Sequence, residues 1–430
     1  MALAPTKVTL FSYQVGFGDC FLLRFHYPDR DRHALIDFGS TGKPKHAEKD
    51  HMAKVARDIA ARCGGRLEVV VATHRHADHI SGFATDPDGD GPGDIIAGLA
   101  IDYVVQPWTE APDAAKDSIG PEISSPQAFT SRRMALAAMH ETSRHALAML
   151  DDGSLHRVPK AIREELEFIG RDNLSNLSAV ENLMRLGRRR FYAWHGMDLP
   201  LHRVLPGVKT HVLGPPTLRQ TDTIRKQRSE DEDEFWHLAP LRLSGARAAV
   251  AEGEALFPGH PTEPGNRLAA QWRWFANRVE QVQAEQVLSL VRALDKQMNN
   301  TSLILLFEVG GKSLLFPGDA QIENWRYALQ SPMAEKLTAV DLYKVGHHGS
   351  LNATPRSLWA RFAKRGPSTK KGRLTTVMST MPGKHGKEER GTEVPRATLL
   401  RALETDSELH STHRAPEGQL FQEVTLKLGG

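Results

Sequence analysis

Three imidazoles and a carboxylate fall within six positions in Thr73-His74-Arg75-His76-Ala77-Asp78-His79, directly after the apolar run Leu67-Glu-Val-Val-Val-Ala72. A turn that follows a strand aims several side chains at one place. Imidazole nitrogens and a carboxylate oxygen are the donor types that hold Zn²⁺ or a similar first-row divalent ion, and four of them in one loop can supply parts of two adjacent sites. Two later segments repeat this placement of donors after a strand, Leu314-Leu-Phe-Pro-Gly-Asp319 and Val345-Gly-His347-His348-Gly-Ser350. Taken alone, Asp319 reads as a turn or cap residue and the histidine pair as surface loop. Taken with the first cluster, in this order and each at a strand end, they read as ligands. The metal candidates are therefore His74, His76, Asp78, His79, Asp319, His347 and His348.

The elements that must carry these donors are legible on both sides of them. Val8 to Tyr13, Phe21 to Phe25 and Ala34 to Asp37 read as a β-meander, with Gly16-Phe-Gly18-Asp19 between the first two strands and Gly39 after the third. Met52, Val55, Ile59 and Ala60 recur at helical spacing, and Gly64-Gly65 ends that helix before the strand that leads to His74. Further strands are predicted at 208–213, 302–307, 312–316, 342–345, 374–378 and 423–428, with a helix around 397–403. Two stretches read as insertions into one domain spanning 1–430. The first, about 112–200, is helical, with the capping-box spacing Ser178-Ala-Val-Glu181; the second, about 217–298, is a loop holding the acidic run 230–234 and then a long amphipathic helix through Trp272, Val279 and Leu290.

Composition narrows the function classes. The 430 residues hold 55 Lys+Arg against 52 Asp+Glu, a formal charge of +3, which excludes a chain that coats nucleic acid by bulk electrostatics. Two cysteines, Cys20 and Cys63, cannot staple a chain of this length and read as buried small hydrophobes in a reducing compartment. No apolar run approaches the roughly 20 residues that cross a bilayer, and the first residues lack the pattern of a signal peptide, so the expectation is a cytoplasmic protein with no membrane partner.

The block from His74 to His79, Gly318-Asp319 and a ligand from His347 or His348 together resemble the metallo-β-lactamase fold family of metallohydrolases. More narrowly, the chain is similar to the hydrolase domain of ComEC-type competence proteins, through Val15-Gly-Phe-Gly-Asp-Cys20, Ala34-Leu-Ile-Asp37-Phe-Gly39, Asn299-Asn300-Thr-Ser302, Gly318-Asp319-Ala320, Lys344-Val-Gly-His-His-Gly-Ser350 and Glu393-Val-Pro-Arg-Ala-Thr-Leu-Leu400. The resemblance implies an α/β (α+β) architecture, an αββα four-layer sandwich whose metals lie at one edge under the insertions. It also implies two divalent ions, Zn or Mn. Common members of the family carry one isolated histidine ligand between the first block and the aspartate; here His195 or His211 could serve, or neither. The resemblance offers Asn300 as a contact to substrate or a support behind a ligand, beside its ordinary reading as a turn or strand-start residue, and Ser350 as a contact to substrate. No membrane channel accompanies the resemblance, so DNA uptake is not implied.

On this reading His74, His76 and Asp319 hold one ion, while Asp78, His79, Asp319 and one of His347 or His348 hold the other, with Asp319 as the bridge. Asp78 and His348 are the catalytic candidates, since the spare imidazole of the His347-His348 pair could contact a substrate phosphate or protonate a leaving group. Asp37 and Asp19, at the ends of N-terminal strands, could orient the ligand imidazoles from behind; beside glycines they also read as ordinary turn residues. The expected activity is a metal-dependent phosphodiesterase or nuclease acting on nucleic acid or nucleotides, with Arg188-Arg-Arg-Phe-Tyr-Ala-Trp194 and the basic residues of 364–373 as candidate contacts. The alternatives are hydrolysis of a small ester, lactone or thioester, and a non-catalytic metal-binding or scaffold protein.

Overall fold

The computed structural model describes residues 3–111, 119–121, 177–223, 299–352, 354–386 and 388–429, together with positions 148, 151, 158 and 163. Six strands come first: β1 Lys7–Tyr13, β2 Cys20–His26, β3 Asp31–Phe38, β4 Arg66–Val71, β5 Ala100–Pro107 and β6 Arg189–Ala193. Six more follow as β7 Val208–Gly214, β8 Ile304–Val309, β9 Lys312–Phe316, β10 Leu342–Lys344, β11 Thr375–Met378 and β12 Glu408–Ser411, before β13 Phe421–Lys427. They form two mixed sheets, in the orders β13-β1-β2-β3-β4-β5-β6 and β12-β11-β10-β9-β8-β7. In the first, β13 to β3 pair antiparallel and β3 to β6 parallel; in the second, β7 to β9 pair antiparallel and β9 to β12 parallel. All parallel strands of a sheet end on the same side, which is what allows loops distant in sequence to meet.

The alternation of side chains along a strand divides the core into three. Leu305, Phe307, Leu314 and Phe316 of the second sheet pack with Leu10, Phe21, Val69 and Val105 of the first, so one cluster lies between the sheets. The intervening Ile304, Leu306 and Leu315 turn the other way, to Trp325, Leu358 and Leu403 from the helices Ile322–Gln330, Arg356–Arg361 and Ala397–Asp406. On the far side of the first sheet, Leu35, Val70 and Val104 pack against Val55 and Ile59 of the helix His51–Cys63, Ile96 of Pro92–Ala97 and Leu183 of Leu177–Arg185. The result is a mixed α/β fold.

Most predicted elements appear within a few residues of their expected bounds, and the helix ahead of β4 ends on Gly64 at φ +57°, in the left-handed region that glycine tolerates. Cys20 and Cys63 are free and buried, and burial pushes both thiols up. The first insertion is corrected at its C-terminal end: the helix Leu177–Arg185 and β6 belong to the body of the fold, and Leu199, Leu201 and Leu205 sit in the core between the sheets. Ser178 is within that helix rather than at its cap, and its hydroxyl meets the backbone N–H of Thr85 at 3.2 Å. The remainder of the first insertion, the acidic run 230–234 and the long helix of the second insertion lie outside the described residues.

One buried imidazole ties this fold to pH. His33, on β3, is 2 % exposed and accepts a hydrogen bond from Arg24 Nε at 3.2 Å. Burial, aided by the charge of Arg24, pushes its pKa down to about 4. The unfolded chain takes up a proton there below about pH 6.5, whereas the native state does so only near pH 4. The stability it contributes is therefore full above pH 6.5 and is lost as pH falls towards 4. Denaturation midpoints measured from pH 7 to pH 4 are expected to fall less steeply in His33→Gln than in the parent; parallel curves would remove His33 from the account.

Candidate metal centre

The side of the sheets where β3, β4, β9, β10 and β11 end gathers the chemistry-bearing residues. After β4 the chain turns at Thr73, whose backbone N–H and hydroxyl both donate to Asp37, at 2.7 Å each. Asp37 holds a left-handed backbone, φ +56°, a conformation that aspartate adopts more readily than most residues. The turn passes His74 and His76 into the short helix Ala77–Ile80, which carries Asp78 and His79. Gly39 lets the backbone after β3 press against this helix: a Cβ there would lie 2.5 Å from the backbone of Asp78 and His79. Asp19 docks on the same turn, its N–H donating to the Asp78 carbonyl at 2.8 Å.

The second sheet delivers the other donors. Asp319 follows Gly318, which is left-handed at φ +55° and packs so closely on Thr73 that a Cβ would lie 2.7 Å from that side chain. Its Oδ1 accepts the His347 N–H at 2.9 Å and lies 3.4 Å from Lys344 Nζ. After β10, His347, His348 and Gly349 are consecutive left-handed residues, at φ +43°, +52° and +81°. Two non-glycine residues held this way are a local strain that the surrounding contacts must overcome, a pattern that concentrates at functional sites. The sequence left open which histidine of the pair faces the metal donors. The structure puts His348 among them, fully buried, with Nε2 2.7 Å from Asp78 Oδ2 and Nδ1 3.0 Å from the Ser379 carbonyl. His347 is the spare imidazole: its side chain is 25 % exposed, with Nε2 4.0 Å from Asp319 Oδ2.

The donor atoms fall into groups tight enough to hold an ion. Asp78, His79, Asp319 and His348 each offer an atom within 4.8 Å of the others, as do His74, His76 and Asp78, and all six residues are buried. His79 Nδ1 is 2.8 Å from Asp37 Oδ2, which turns Nε2 inward to within 3.1 Å of Asp319 Oδ2 and 3.7 Å of Asp78 Oδ1. His74 Nε2 and His76 Nδ1 converge at 3.0 Å. The residue common to both groups is Asp78, where the sequence placed Asp319 as the bridge. A third group, Asp19, Asp37 and His79, already has the Lys344 ammonium on Asp19. The fit to a cation is chemical as well as geometric. Asp78 Oδ1 is a buried carboxylate oxygen with no hydrogen-bond donor, and a buried charged atom of this kind demands a partner.

The electrostatics divide the same residues. Asp19, Asp37, Asp78 and Asp319 are buried carboxylates and Lys344 is the buried ammonium among them. Burial opposes charge on Asp319, but His79, Lys344 and His347 outweigh it and hold the carboxyl well below the usual carboxylate range. Asp78 is likewise held down against burial by His79 and by the hydrogen bond from His348. His79 is raised, because four carboxylates, Asp319 foremost, outweigh its burial. His348 is raised against burial by Asp19 and Asp78. Burial keeps His74 low and pushes His76 down to about 4, which leaves both as neutral imidazoles, the form that ligates metal.

The remaining candidates are placed differently. Asp19 and Asp37 lie behind the imidazoles, with Asp19 3.6 Å from His79 Nδ1 and 3.5 Å from His348 Nδ1. Asn300 is buried and donates to Glu323 Oε2 at 3.1 Å, and Ser350 donates to Asn352 at 2.9 Å. Neither histidine considered for the isolated ligand joins a donor group. His195 Nδ1 is 2.7 Å from the Leu213 carbonyl, and His211 is an ion-pair partner of Glu308 on the second sheet. Of the arginine stretch 188–190, Arg188 directly precedes β6 and Arg189 and Arg190 begin it. Arg188 lies 3.7 Å from Asp102, and Arg190 caps the carbonyls of Arg185, Leu186 and Gly187. The basic residues of 364–373 precede β11 and so lie at the end of the sheet opposite the metal donors, where Lys364 pairs with Asp341 and Lys370 donates to the carbonyls of Ala363 and Arg365. Sequence reasoning missed Lys344 as a charged member of the centre, and Phe17, whose ring lies 4.3 Å from that of His348. A lysine inside an otherwise apolar three-residue strand was the signal for the first.

No protein-family model matches the chain, and a search of curated proteins finds no match to it. Among the described residues no helix is long and apolar enough to cross a membrane.

Proposed function

We propose that the chain is a metal-dependent hydrolase of the metallo-β-lactamase type, an αββα sandwich that acts as a phosphodiesterase or nuclease on nucleic acid or nucleotides. The observation that carries this reading is the buried group of Asp78, His79, Asp319 and His348, drawn from two facing sheets around a carboxylate oxygen that has no donor. The substrate class comes from the sequence resemblance. Divalent ions of the zinc or manganese kind, when bound, lower the pKa of water and stabilise charge on an attacked phosphoryl oxygen.

The chain's own residues do the positioning. Asp37 and the Ser379 carbonyl hold the Nδ1 atoms of His79 and His348, so each ring offers Nε2 to an ion. Lys344 neutralises Asp19 and one side of Asp319, and leaves Asp319 Oδ2 for the metal group. His347, partly exposed beside Asp319, is the imidazole this reading offers to a substrate phosphate.

The test is elemental analysis of purified protein, with hydrolysis assays on bis-p-nitrophenyl phosphate, single- and double-stranded DNA, and RNA. Bound divalent metal and cleavage that EDTA abolishes and Zn²⁺ or Mn²⁺ restores are expected. Bound metal with no phosphodiester cleavage would move the substrate to small esters, lactones or thioesters. A chain that takes up no metal on reconstitution would be a scaffold, and the reading would fail.

A further inference from the structure

The two sheets end side by side, the first in β13 and the second in β12, and among the described residues each of these strands is paired along one side only. A cleft of about 680 Å³ separates them, with Glu408 and His410 on one wall and Val424 and Leu426 on the other. β12 is four residues long, whereas β13 keeps an unbroken seven-residue register with β1. The direction of its free backbone groups follows from that ladder. Leu428 N–H donates to the Thr6 carbonyl and the Leu420 carbonyl accepts the Gln14 N–H, so the even-numbered residues of β13 turn their N–H and C=O groups to β1. Glu423, Thr425 and Lys427 therefore turn theirs to the open edge, and all three side chains are exposed. A long, regular edge of this kind is a template for another strand.

The charges along the edge identify which strand fits it. Lys427 stands directly opposite Lys7 of β1, and among the described residues neither has a carboxylate partner. Glu423 meets the Thr425 hydroxyl at 3.4 Å and no cation among the described residues. Like charges opposite each other in a sheet repel and unlike charges attract. A second β13 laid antiparallel about a two-fold axis at Thr425 sets Glu423 of each protomer opposite Lys427 of its partner, and on the inner face sets Val424 opposite Leu426. A slip of two residues, the smallest that keeps every side chain on its own face, breaks both charge pairs. We propose that the chain forms a two-fold dimer through β13, in which the first sheets of two protomers join into one continuous sheet held in register by reciprocal Glu423–Lys427 pairs. No donor of the metal centre takes part, so the dimer and the hydrolase reading fail independently.

Sedimentation equilibrium of the full chain at successive dilutions measures the assembly directly, and a species of two chains is expected. Glu423→Lys and Lys427→Glu each place like charges opposite one another at both pairs, and each is expected to raise the dimer dissociation constant by about tenfold or more. Mixed in equal amounts, the two variants again oppose unlike charges at both pairs, so parental affinity is expected to return. Thr425→Pro reaches the monomer by a route that alters no charge, because it removes an N–H from the open edge and none from the ladder with β1. Circular dichroism on each variant checks that it folds. A parent that is monomeric at every concentration, an unchanged dissociation constant in either charge variant, or a mixture no tighter than its components would overturn the proposal.

Discussion

Asp319→Ala is expected to lower phosphodiester hydrolysis by on the order of a thousandfold, the equivalent of about 4 kcal/mol of transition-state stabilisation, which is within the several kcal/mol a metal centre supplies. The substitution removes the atom that lies 3.1 Å from His79 Nε2, and with it one of four donors. It also releases the His347 N–H, which Asp319 Oδ1 holds at 2.9 Å, and so loosens the left-handed turn that presents both histidines. Asp319→Asn separates these effects, because it keeps an oxygen for the His347 N–H but removes the charge. Both variants are expected to show reduced metal content and activity, with Asn closer to the parent in thermal stability. An Asp319→Ala protein that hydrolyses at the parental rate would sink the mechanism.

Lys344→Met is expected to cost about 3–5 kcal/mol of stability, read as a fall in the denaturant midpoint at unchanged slope. Lys344 is 2 % exposed, with its ammonium on Asp19, 3.1 Å from the Gly318 carbonyl and 3.4 Å from Asp319 Oδ1. Methionine fills similar space and leaves the carboxylates buried without their cation. Burial disfavours that cation, yet Asp19 and Asp319 more than compensate and raise its pKa, so it stays charged throughout the working range. Adding Asp19→Asn to Lys344→Met is expected to recover part of the loss, since two charges are then absent instead of one. If the double variant loses the simple sum of the single losses, the pair is not coupled.

How much of this was legible in the sequence follows from the length scale of each signal. His74 to His79 could be found because four donors crowd into one turn, and Asp319 and the His347-His348 pair because each directly follows an apolar strand. The strands of the antiparallel meander declare themselves by alternation, and Gly64 marks a helix end. Other strands were hidden by local polarity. β5 carries Asp102, which pairs with Arg66, and Gln106; β6 begins in two arginines; β12 is the four residues Glu408-Leu-His-Ser411. Each is defined by its neighbours in the sheet more than by its own pattern. Pairing between elements was out of reach for the same reason. The roles of Lys344 and Asp78 depend on contacts across 325 and 270 positions, from Asp19 to Lys344 and from Asp78 to His348. No periodicity encodes those contacts.

The pairing of β13 with β1 sets a clock on synthesis. Lys7 is in register with Lys427, so the outer hydrogen-bonding edge of β1 stays open until a strand 420 positions later (427 minus 7) leaves the ribosome. At about 5–20 residues per second that wait is on the order of tens of seconds. Throughout it the nascent chain presents an unpaired edge next to Phe11 and Tyr13, the kind of exposed strand that recruits other chains. Yield in a heterologous host should therefore depend on chaperone supply during translation more than on the strength of the finished sheet.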